Sequence, residues 1–319
     1  MGPLLLRAWL LGTTGLLPAA AALAQMPAPN ARPVGGQVVA GQAGIGQTAA
    51  QTTISQQSQR AAIDWQQFNV GSQHGVQINQ PNSQAWVLNR VVGPDPSVIA
   101  GRITANGGVA IVNQSGVVFA GGAQVNVGSL IASAANISNQ NFMAGRMVFD
   151  GPPKPGARVE NHGTITVGEA GLAALVAPGV ANTGVIQAKL GKVALAGAET
   201  YTLDLAGDGL LSIDVTQAVR TAPGGGAALV TNSGVIEAPG GAVLLTATAA
   251  SGLVEDLVRH TGRISAPTVG GRTGQVALRA QGGGVRVEGS VEATGGTGQR
   301  GGSIEALATG TVTVAQGAR

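Results

Sequence analysis

Five carboxylates are the side chains of this sequence best placed for acid–base chemistry. Asp204, Asp208 and Asp214 lie close together, and Glu255 and Asp256 follow as a pair. Two carboxylates held in different protonation states can cleave glycosidic bonds. The catalytic cleft of such an enzyme usually also offers flat side chains on which sugar rings stack, and aromatic residues make up only 3% of the chain. We therefore predict that the chain is not an enzyme. A β-helical carbohydrate-active enzyme stays open as an alternative, because stacked turns of chain could bring carboxylates together.

The three histidines do not indicate a metal site. His74, His162 and His260 are far apart in the sequence, and the chain has no cysteine. Metal centres are built from clustered His, Cys, Asp or Glu side chains. His162 and His260 adjoin glycine-containing turns, so we expect both to be solvated turn residues. The sequence predicts neither a metal nor a cofactor.

The composition is low in charge and rich in glycine. Charged residues make up 10% of the chain, the net charge is +3, and 52 of 319 residues are Gly. A typical globular domain carries about 25% charged residues. Lys and Arg are scattered singly, whereas nucleic-acid binding needs clustered cations. We therefore expect no nucleic-acid partner, a core of small aliphatic side chains and a surface of uncharged polar groups.

The first 24 residues have the pattern of a cleaved export signal. Arg7 precedes an apolar run from Ala8 to Leu17, and Pro18 ends that run. Ala22 and Ala24 are small residues at the two positions that a signal peptidase reads, and cleavage would leave Gln25 as the first mature residue. The run is shorter than the roughly 20 residues that span a bilayer. We therefore predict a signal peptide rather than a membrane anchor, and a mature chain that is at most peripheral to a membrane.

Apolar residues two positions apart recur from residue 53 onward, and Gly, Asn and Pro separate these segments. A period of two is that of a β-strand. The segment 250–260 is the best helical candidate. The strand-like pairs include Val76/Ile78, Val109/Ile111, Val125/Val127, Ile165/Val167, Val193/Leu195 and Val285/Val287.

A short motif, Asn-x-Gly followed by a strand, repeats along the chain. The clear copies NHGTITV, NTGVIQA and NSGVIEA begin at Asn161, Asn182 and Asn232, and a looser copy, HTGRISA, begins at His260. Asn139 is a fifth, weaker candidate. Successive starts from Asn161 are 21, 50 and 28 residues apart. We interpret 50 as two units, and each motif as a turn in which Asn and Gly tolerate positive φ. The predicted repeat-turn residues are Asn161, Gly163, Asn182, Gly184, Asn232 and Gly234.

A repeat of this length built from short strands predicts a parallel β-helix. The leucine-rich repeat has a similar period, but its Leu-x-x-Leu-x-Leu consensus is absent. Coils stack about 4.8 Å apart, so roughly eleven coils would form a rod on the order of 50 Å long. Small side chains would fill the narrow interior, and aligned Asn side chains could hydrogen-bond along the stack.

Residues 60–138 resemble the two-partner secretion domain of filamentous haemagglutinin-type exoproteins. Domains of this kind also occur in contact-dependent inhibition and haem-utilisation adhesins. Four ordered segments carry the resemblance, and NFMAGRMVF at 141–149 and the stretch 191–215 continue it. The four segments are IDWQQFNVG, NQPNSQAWVLNRV, GPDPSVIAGRITANG and NQSGVVFAGGAQVNVGSLIAS.

The resemblance implies an all-β, right-handed parallel β-helix of the pectin-lyase-like kind with an N-terminal β cap. It implies a Sec-exported protein that a partner outer-membrane β-barrel transporter recognises in the periplasm through its periplasmic domains. The exoprotein would then reach the cell surface or the medium and act in adhesion or haemagglutination. A receptor on a host or neighbouring cell is a further expected partner. The N-terminal part of a contact-dependent toxin carrier is the alternative within this group.

Two asparagine motifs of this family are tied to secretion, and both are altered here. The first usually reads Asn-Pro-Asn, and the related positions are Asn79, Pro81 and Asn82, with Gln80 inserted. The second usually reads Asn-Pro-Asn-Gly before an aliphatic residue, and only Asn113 and Gly116 remain of it. The resemblance implies that these five residues mark the two turns that the transporter recognises.

These observations divide the chain into four parts: a signal peptide (1–24), a linker with the first cap strands (25–52), the two-partner secretion domain (53–150) and further β-helical coils (151–319). Strand patterning still runs at the last residues. We therefore expect either the start of a longer exoprotein or an unusually short one.

Overall fold

A computed structural model describes residues 25–204, 212–224 and 228–319. The predicted signal peptide, with Ala24, and the candidate Asp208 lie outside these ranges. The first strands are β1 (Gln37–Ala40), β2 (Ala43–Gln47), β3 (Gln51–Gln56), β4 (Arg60–Trp65), β5 (Gly75–Asn79), β6 (Trp86–Val91), β7 (Ser97–Ile99), β8 (Arg102–Ala105), β9 (Gly108–Asn113), β10 (Val117–Phe119), β11 (Gln124–Val127) and β12 (Ser129–Ser133).

The helix α1 (Asn139–Met143) comes next and is followed by the remaining strands. These are β13 (Met147–Phe149), β14 (Arg158–Asn161), β15 (Thr164–Val167), β16 (Leu172–Ala177), β17 (Gly179–Asn182), β18 (Val185–Gln187), β19 (Lys192–Gly197), β20 (Thr200–Leu203), β21 (Ile213–Gln217), β22 (Val230–Asn232), β23 (Val235–Glu237), β24 (Ala242–Thr248), β25 (Asp256–His260), β26 (Arg263–Ser265), β27 (Gln275–Gln281), β28 (Gly284–Val287), β29 (Ser290–Glu292), β30 (Ser303–Ala308) and β31 (Val312–Val314).

Three long sheets form the sides of a parallel β-helix, and the chain visits them in a fixed order. Sheet I has the order β1-β4-β6-β9-β12-β16-β19-β24-β27-β30. Sheet II has the order β2-β3-β5-β8-β11-β15-β18-β23-β26-β29, and sheet III runs from β7 through β10, β14, β17, β22, β25 and β28 to β31. Each coil passes from sheet II to sheet I to sheet III. The predicted fold class, an all-β parallel β-helix, is confirmed, with the short helix α1 as an addition.

The N-terminal end is closed by antiparallel strands. β1 pairs antiparallel with β4, and β2 pairs antiparallel with β3, whereas the later neighbours in sheets I and II are parallel. Trp65 and Phe68 pack edge to face in the first coil and are buried. These strands and rings fill the end of the interior that stacked coils would leave open, which is the N-terminal cap expected above.

Columns of small aliphatic side chains form the core. Leu175, Leu195 and Leu245 are register partners in successive strands of sheet I, and all three are fully buried. Ile165, Ile186 and Ile236 form the equivalent column in sheet II. A coil interior about one side chain wide accommodates these residues but few rings, which explains the low aromatic content.

The prediction of two units between Asn182 and Asn232 is wrong. β17 pairs directly with β22, and β19 pairs directly with β24, so the 50 residues form a single coil. Two strands of this interval, β20 and β21, belong to a second layer outside the rod. Sheet I therefore has nine parallel strands rather than about eleven, and the stack is about 40 Å long.

The second layer covers the outer face of sheet I. It consists of α1 and an outer sheet of order β13-β20-β21. Phe149 and Tyr201 stack with their ring centroids 4.6 Å apart, and Phe142 of α1 is buried beside them. Beneath this layer the outward positions of sheet I are apolar, including Leu88, Ile131 and Ala194. A rod side that would otherwise be solvated has become a second core.

The helix is not where the sequence predicted one. Residues 256–260 form strand β25, because Leu257 and Val258 pack into the coil. The helix begins at Asn139 instead, with Ser138 as N-cap, so Asn139 is not a repeat turn. In the described ranges, no helix combines the length and the apolar character that crossing a membrane requires.

Candidate functional site

The first asparagine turn connects β5 of sheet II to β6 of sheet I. Asn79 ends β5 on the outer surface, and Pro81 and Asn82 are exposed. The Asn82 side chain accepts a hydrogen bond from the backbone N–H of Gln84 at 3.0 Å, which is a local turn bond. Its amide also exchanges two hydrogen bonds with the amide of Gln59, at 2.9 and 3.1 Å. The turn is therefore well defined and open to a partner.

Gln80, which interrupts the family motif, holds this turn in place. Its side chain is buried and donates to the carbonyls of Ala85 and Gly108, each at 3.0 Å. Its Oε1 accepts from the Gly107 N–H at 2.7 Å. Its backbone exchanges two hydrogen bonds with the Asn106 side chain. Sequence reasoning missed this role, although Gln80 continues the inward alternation of Val76 and Ile78.

The second asparagine turn connects β9 of sheet I to β10 of sheet III. Asn113 is buried, and its Nδ2 donates to the carbonyl of Asp95 at 2.9 Å and to Ser97 Oγ at 3.0 Å. Its Oδ1 accepts from the Ser115 N–H at 2.9 Å. Gly116 has φ of 113°, and a Cβ there would lie 2.6 Å from the carbonyl oxygen of Arg158. Asn113 and Gly116 therefore shape the turn from inside.

The outer part of the second turn is formed by the half-buried residues Gln114 and Ser115. Ser115 Oγ donates to the carbonyl of Pro94 at 2.6 Å, and Lys154 Nζ lies 2.8 Å from Ser115 Oγ. Gln114 is bound to the carbonyl of Pro152. The turn is thus joined to two neighbouring loops.

The two turns do not form one pocket. The first precedes β6 and the second follows β9, and these strands are adjacent and parallel in sheet I. They therefore lie at opposite ends of the strands of sheet I, one before β6 and one after β9. The layer of α1 and the outer sheet covers the face of sheet I between them. A partner that touches both turns must reach across this layer.

The repeat asparagines form a continuous internal ladder. Asn161, Asn182 and Asn232 end β14, β17 and β22 and are fully buried. Asn161 Nδ2 donates to Asn182 Oδ1 at 2.8 Å, and Asn182 Nδ2 donates to Asn232 Oδ1 at 2.7 Å. Each amide thus satisfies its neighbour where sheet III turns toward sheet II.

The repeat glycines have a different role from the one predicted. Gly163, Gly184 and Gly234 are not among the residues with positive φ. A Cβ at Gly184 would instead lie 2.1 Å from the carbonyl oxygen of Gly163, and one at Gly234 would lie 2.1 Å from that of Gly184. Only glycine lets successive corners approach this closely. The motif therefore requires glycine because the coils stack closely, not because the backbone has a positive φ.

The prediction that His260 is solvated is wrong, because it ends the asparagine ladder. It is fully buried, and its Nε2 lies 3.0 Å from the carbonyl of Ser290. Nδ1 lies 3.0 Å from Asn232 Nδ2 and 3.2 Å from the Asn232 carbonyl, so the tautomer with the proton on Nε2 lets Nδ1 accept from the Asn232 amide. His162 is exposed and contacts Glu160 and Thr183. The imidazole of His260 replaces the acceptor that the next amide would provide.

Stability should fall as His260 is titrated. Burial lowers the pKa of His260, although its contacts with the backbone carbonyls of Ser290 and Asn232 oppose this. As the pH falls below about 6.5, the unfolded chain takes up a proton that the folded chain resists. We expect the unfolding free energy to fall by up to about 1.4 kcal/mol per pH unit until the folded-state pKa is reached.

Urea unfolding between pH 7.5 and 5 measures this effect. His260→Asn supplies a neutral acceptor and should flatten the profile. An unchanged slope in this variant would assign the pH dependence to another group.

Among the candidate carboxylates that the structure describes, Asp204 and Asp214 line one pocket beside the outer sheet, whereas Asp256 lies apart from them in β25. Asp256 is bound by Arg286 at 2.6 Å, and Asp214 is exposed on β21. Glu160 is held between Arg158 and His162. Its partial burial raises its pKa, but these two partners outweigh that effect and leave the pKa below its usual value. Within the described ranges, no group of His, Asp or Glu could hold a metal ion.

Known proteins share this architecture. A crystal structure of the HMW1 secretion domain from Haemophilus influenzae superposes with a TM-score of 0.77 at 28% identity, covering 90% of this chain and 72% of that one. The filamentous hemagglutinin secretion domain superposes with a TM-score of 0.54 at 20% identity, covering 90% and 97%. The second likeness establishes the fold alone.

Sequence relatives point to the same group. A heme/hemopexin-binding protein of Haemophilus influenzae strain Rd is 30% identical over 254 residues, which are 78% of this chain but 27% of that protein. A second heme/hemopexin-binding protein from that species is 42% identical over 90 residues, 28% of this chain and 10% of the relative. This chain thus spans about a quarter of the first relative. The sequence model of the TPS secretion domain matches residues 30–305. The chain belongs to the TPS secretion domain family.

Proposed function

We propose that this chain is the export module of a secreted exoprotein, and that an outer-membrane transporter recognises it in the periplasm at the first asparagine turn. The observation that carries the proposal is the contrast within that turn. Gln80 is buried and fixes the backbone, while Pro81 and Asn82 are left exposed. A preformed turn with an exposed polar tip binds a partner without the entropy cost of ordering it.

The second turn contributes in another way. Asn113 is buried and bound to Asp95 and Ser97, so a partner would meet Gln114 and Ser115 instead. Asn113 and Gly116 preserve the shape of that surface. The altered motif is compatible with this role, because Ser115 and Gly116 still complete the turn.

We further propose that the exported protein acts at the cell surface or in the medium in adhesion or haemagglutination. Membership of the family supports export. The relatives are named for binding heme or hemopexin, but this chain matches only about a quarter of the first relative. Residues elsewhere in such a whole protein would then specify its receptor or ligand. The carbohydrate-enzyme alternative has less support, since Asp256 is neutralised by Arg286. The toxin-carrier alternative involves the same export step and stays open.

Export with and without the transporter tests the proposal. The wild type should reach the medium only when the partner outer-membrane transporter is present. Asn82→Ala should reduce the exported amount about tenfold, the effect of losing one central interface contact. Asn113→Ala should do the same by distorting the second turn. Asn126→Ala, an exposed asparagine on β11, is the matched control and should be exported normally.

Folding must be measured beside export. Asn82→Ala should unfold at the wild-type urea concentration, because its contacts are exposed. Export of the wild type without any transporter would overturn the proposal. Normal export of Asn82→Ala would mean that the transporter does not recognise the chain at the first asparagine turn.

A further inference from the structure

A polar groove crosses the outer face of sheet II near the capped end. It has a volume of about 630 Å³ and lies over β3, β5, β8 and β11. None of the residues of the two asparagine turns or of the ion pairs described above lines this groove. Its floor is formed by strands that are hydrogen-bonded on both sides, so it is a rigid feature of the rod.

One glycine creates the groove. Register pairing places Gln51, Gly75, Arg102 and Gln124 in one outward column of sheet II. Gly75 therefore leaves a gap between two long side chains, and a Cβ placed there would meet no atom within 4 Å. Its φ lies outside the left-handed region, so the backbone does not require glycine here.

A buried histidine fixes the corner that borders the gap. The His74 ring lies 2.9 Å from Thr52 Oγ1 and 3.2 Å from the carbonyl of Ala49. The ring is 2% exposed. The loop before β5 is thereby tied to the coil beneath it, and one wall of the groove is held in place.

The lining combines neutral hydrogen-bonding groups with one free cation. Amides and hydroxyls come from Gln73, Gln77, Thr104 and Gln124, and no carboxylate lines the groove. Arg102 is exposed, and within the described part of the chain it has no ion pair or side-chain hydrogen bond. Its guanidinium can thus bind an incoming carboxylate with two parallel hydrogen bonds.

The groove suits a saccharide better than a peptide. A peptide strand would need a free sheet edge, but the backbone of β5 and β8 is already paired on both sides. The exposed large apolar side chains lie elsewhere on the described surface, for example at Val92 and Leu307, so apolar anchors are missing here. We propose that this groove binds an acidic saccharide, with a carboxylate on Arg102 and hydroxyls on the surrounding amides.

Calorimetric titration of the purified chain with a hexamer of α-1,4-linked galacturonate tests this proposal. The methyl ester of the same hexamer keeps the hydroxyls and removes the charge, and it should bind about tenfold more weakly. Arg102→Gln should weaken binding of the acid about tenfold and leave binding of the ester unchanged. Gly75→Thr should weaken binding of both, because the side chain fills the gap and threonine suits a strand.

Arg300→Gln, at an exposed arginine near the other end of the rod, is the matched control and should bind like the wild type. Absence of binding to the hexamer would overturn the proposal, as would binding that neither Arg102→Gln nor Gly75→Thr alters. Loss of transporter-dependent export in these two variants, without any saccharide binding by the wild type, would assign the groove to the transporter instead. The titration does not involve the transporter, so its outcome is independent of the export experiment.

Discussion

Asn182→Ala should lower the unfolding free energy by about 3 kcal/mol or more. The substitution removes the acceptor of Asn161 Nδ2 and the donor to Asn232 Oδ1, and both partners are fully buried. Asn232 Oδ1 loses its donor, and Asn161 Nδ2 keeps only longer bonds to the carbonyls of Gly163 and Val185, at 3.3 and 3.4 Å. A buried polar group left poorly paired costs about 1–3 kcal/mol, and both groups contribute. Urea unfolding followed by circular dichroism measures the loss.

Thr183→Ala is the matched control, one residue further along the same corner. Its hydroxyl bonds to His162 on the exposed surface, so the loss should stay below about 1 kcal/mol. Equal losses in the two variants would mean that the ladder does not stabilise the fold. Replacing Asn161, Asn182 and Asn232 together by Leu should cost less than three separate losses. The bonds between the ladder amides then disappear as whole pairs, and only His260 Nδ1 and the Gly163 N–H lose a partner.

Gly184→Ala should destabilise the rod strongly, although it adds only one methyl group. Its Cβ would lie 2.1 Å from the carbonyl oxygen of Gly163, and a Cβ at Gly234 meets Gly184 in the same way. The obstructing atom is backbone within a hydrogen-bonded stack, so the coils must separate locally. We expect a loss of about 3 kcal/mol or more, together with reduced export in the same assay.

Gly44→Ala provides the comparison for Gly184→Ala. Gly44 lies in the cap strand β2, and a Cβ there would meet nothing within 4 Å. This change should leave the unfolding midpoint within error or raise it slightly, because alanine restricts the unfolded chain. If Gly184→Ala were as stable as Gly44→Ala, close stacking would not be the reason for the repeat glycines.

Local pattern predicted the architecture well, because a strand period is a property of neighbouring residues. The alternation of Val76 and Ile78 correctly indicated β5, and the motif at Asn161, Asn182 and Asn232 marked three successive coils. The sequence did not show that the 50-residue interval is one coil. Spacing alone does not distinguish two short coils from one coil with an excursion, whereas strand pairing does.

The functional residues were predicted less completely, because burial decides their roles. Asn113 and Asn82 belong to similar motifs, but one faces inward and the other faces solvent. His260 looked like a turn residue until its strand register placed it above Asn232. Gln80 looked like an insertion because its partners, such as Gly107 and Asn106, are distant in sequence.

The outer sheet changes how the rod should come apart. In a simple solenoid each coil contacts only its neighbours, so coils at an end can open one at a time. Here β13 precedes the coils of β14–β19 in the chain, and β20 and β21 follow them, yet these strands pair with one another. Opening any coil between them therefore disturbs the pairing of β13 with β20, which joins chain segments several coils apart. The coils from the N-terminal cap to β21 should therefore exchange their amide protons as one cooperative unit, while β27 and β30 open independently.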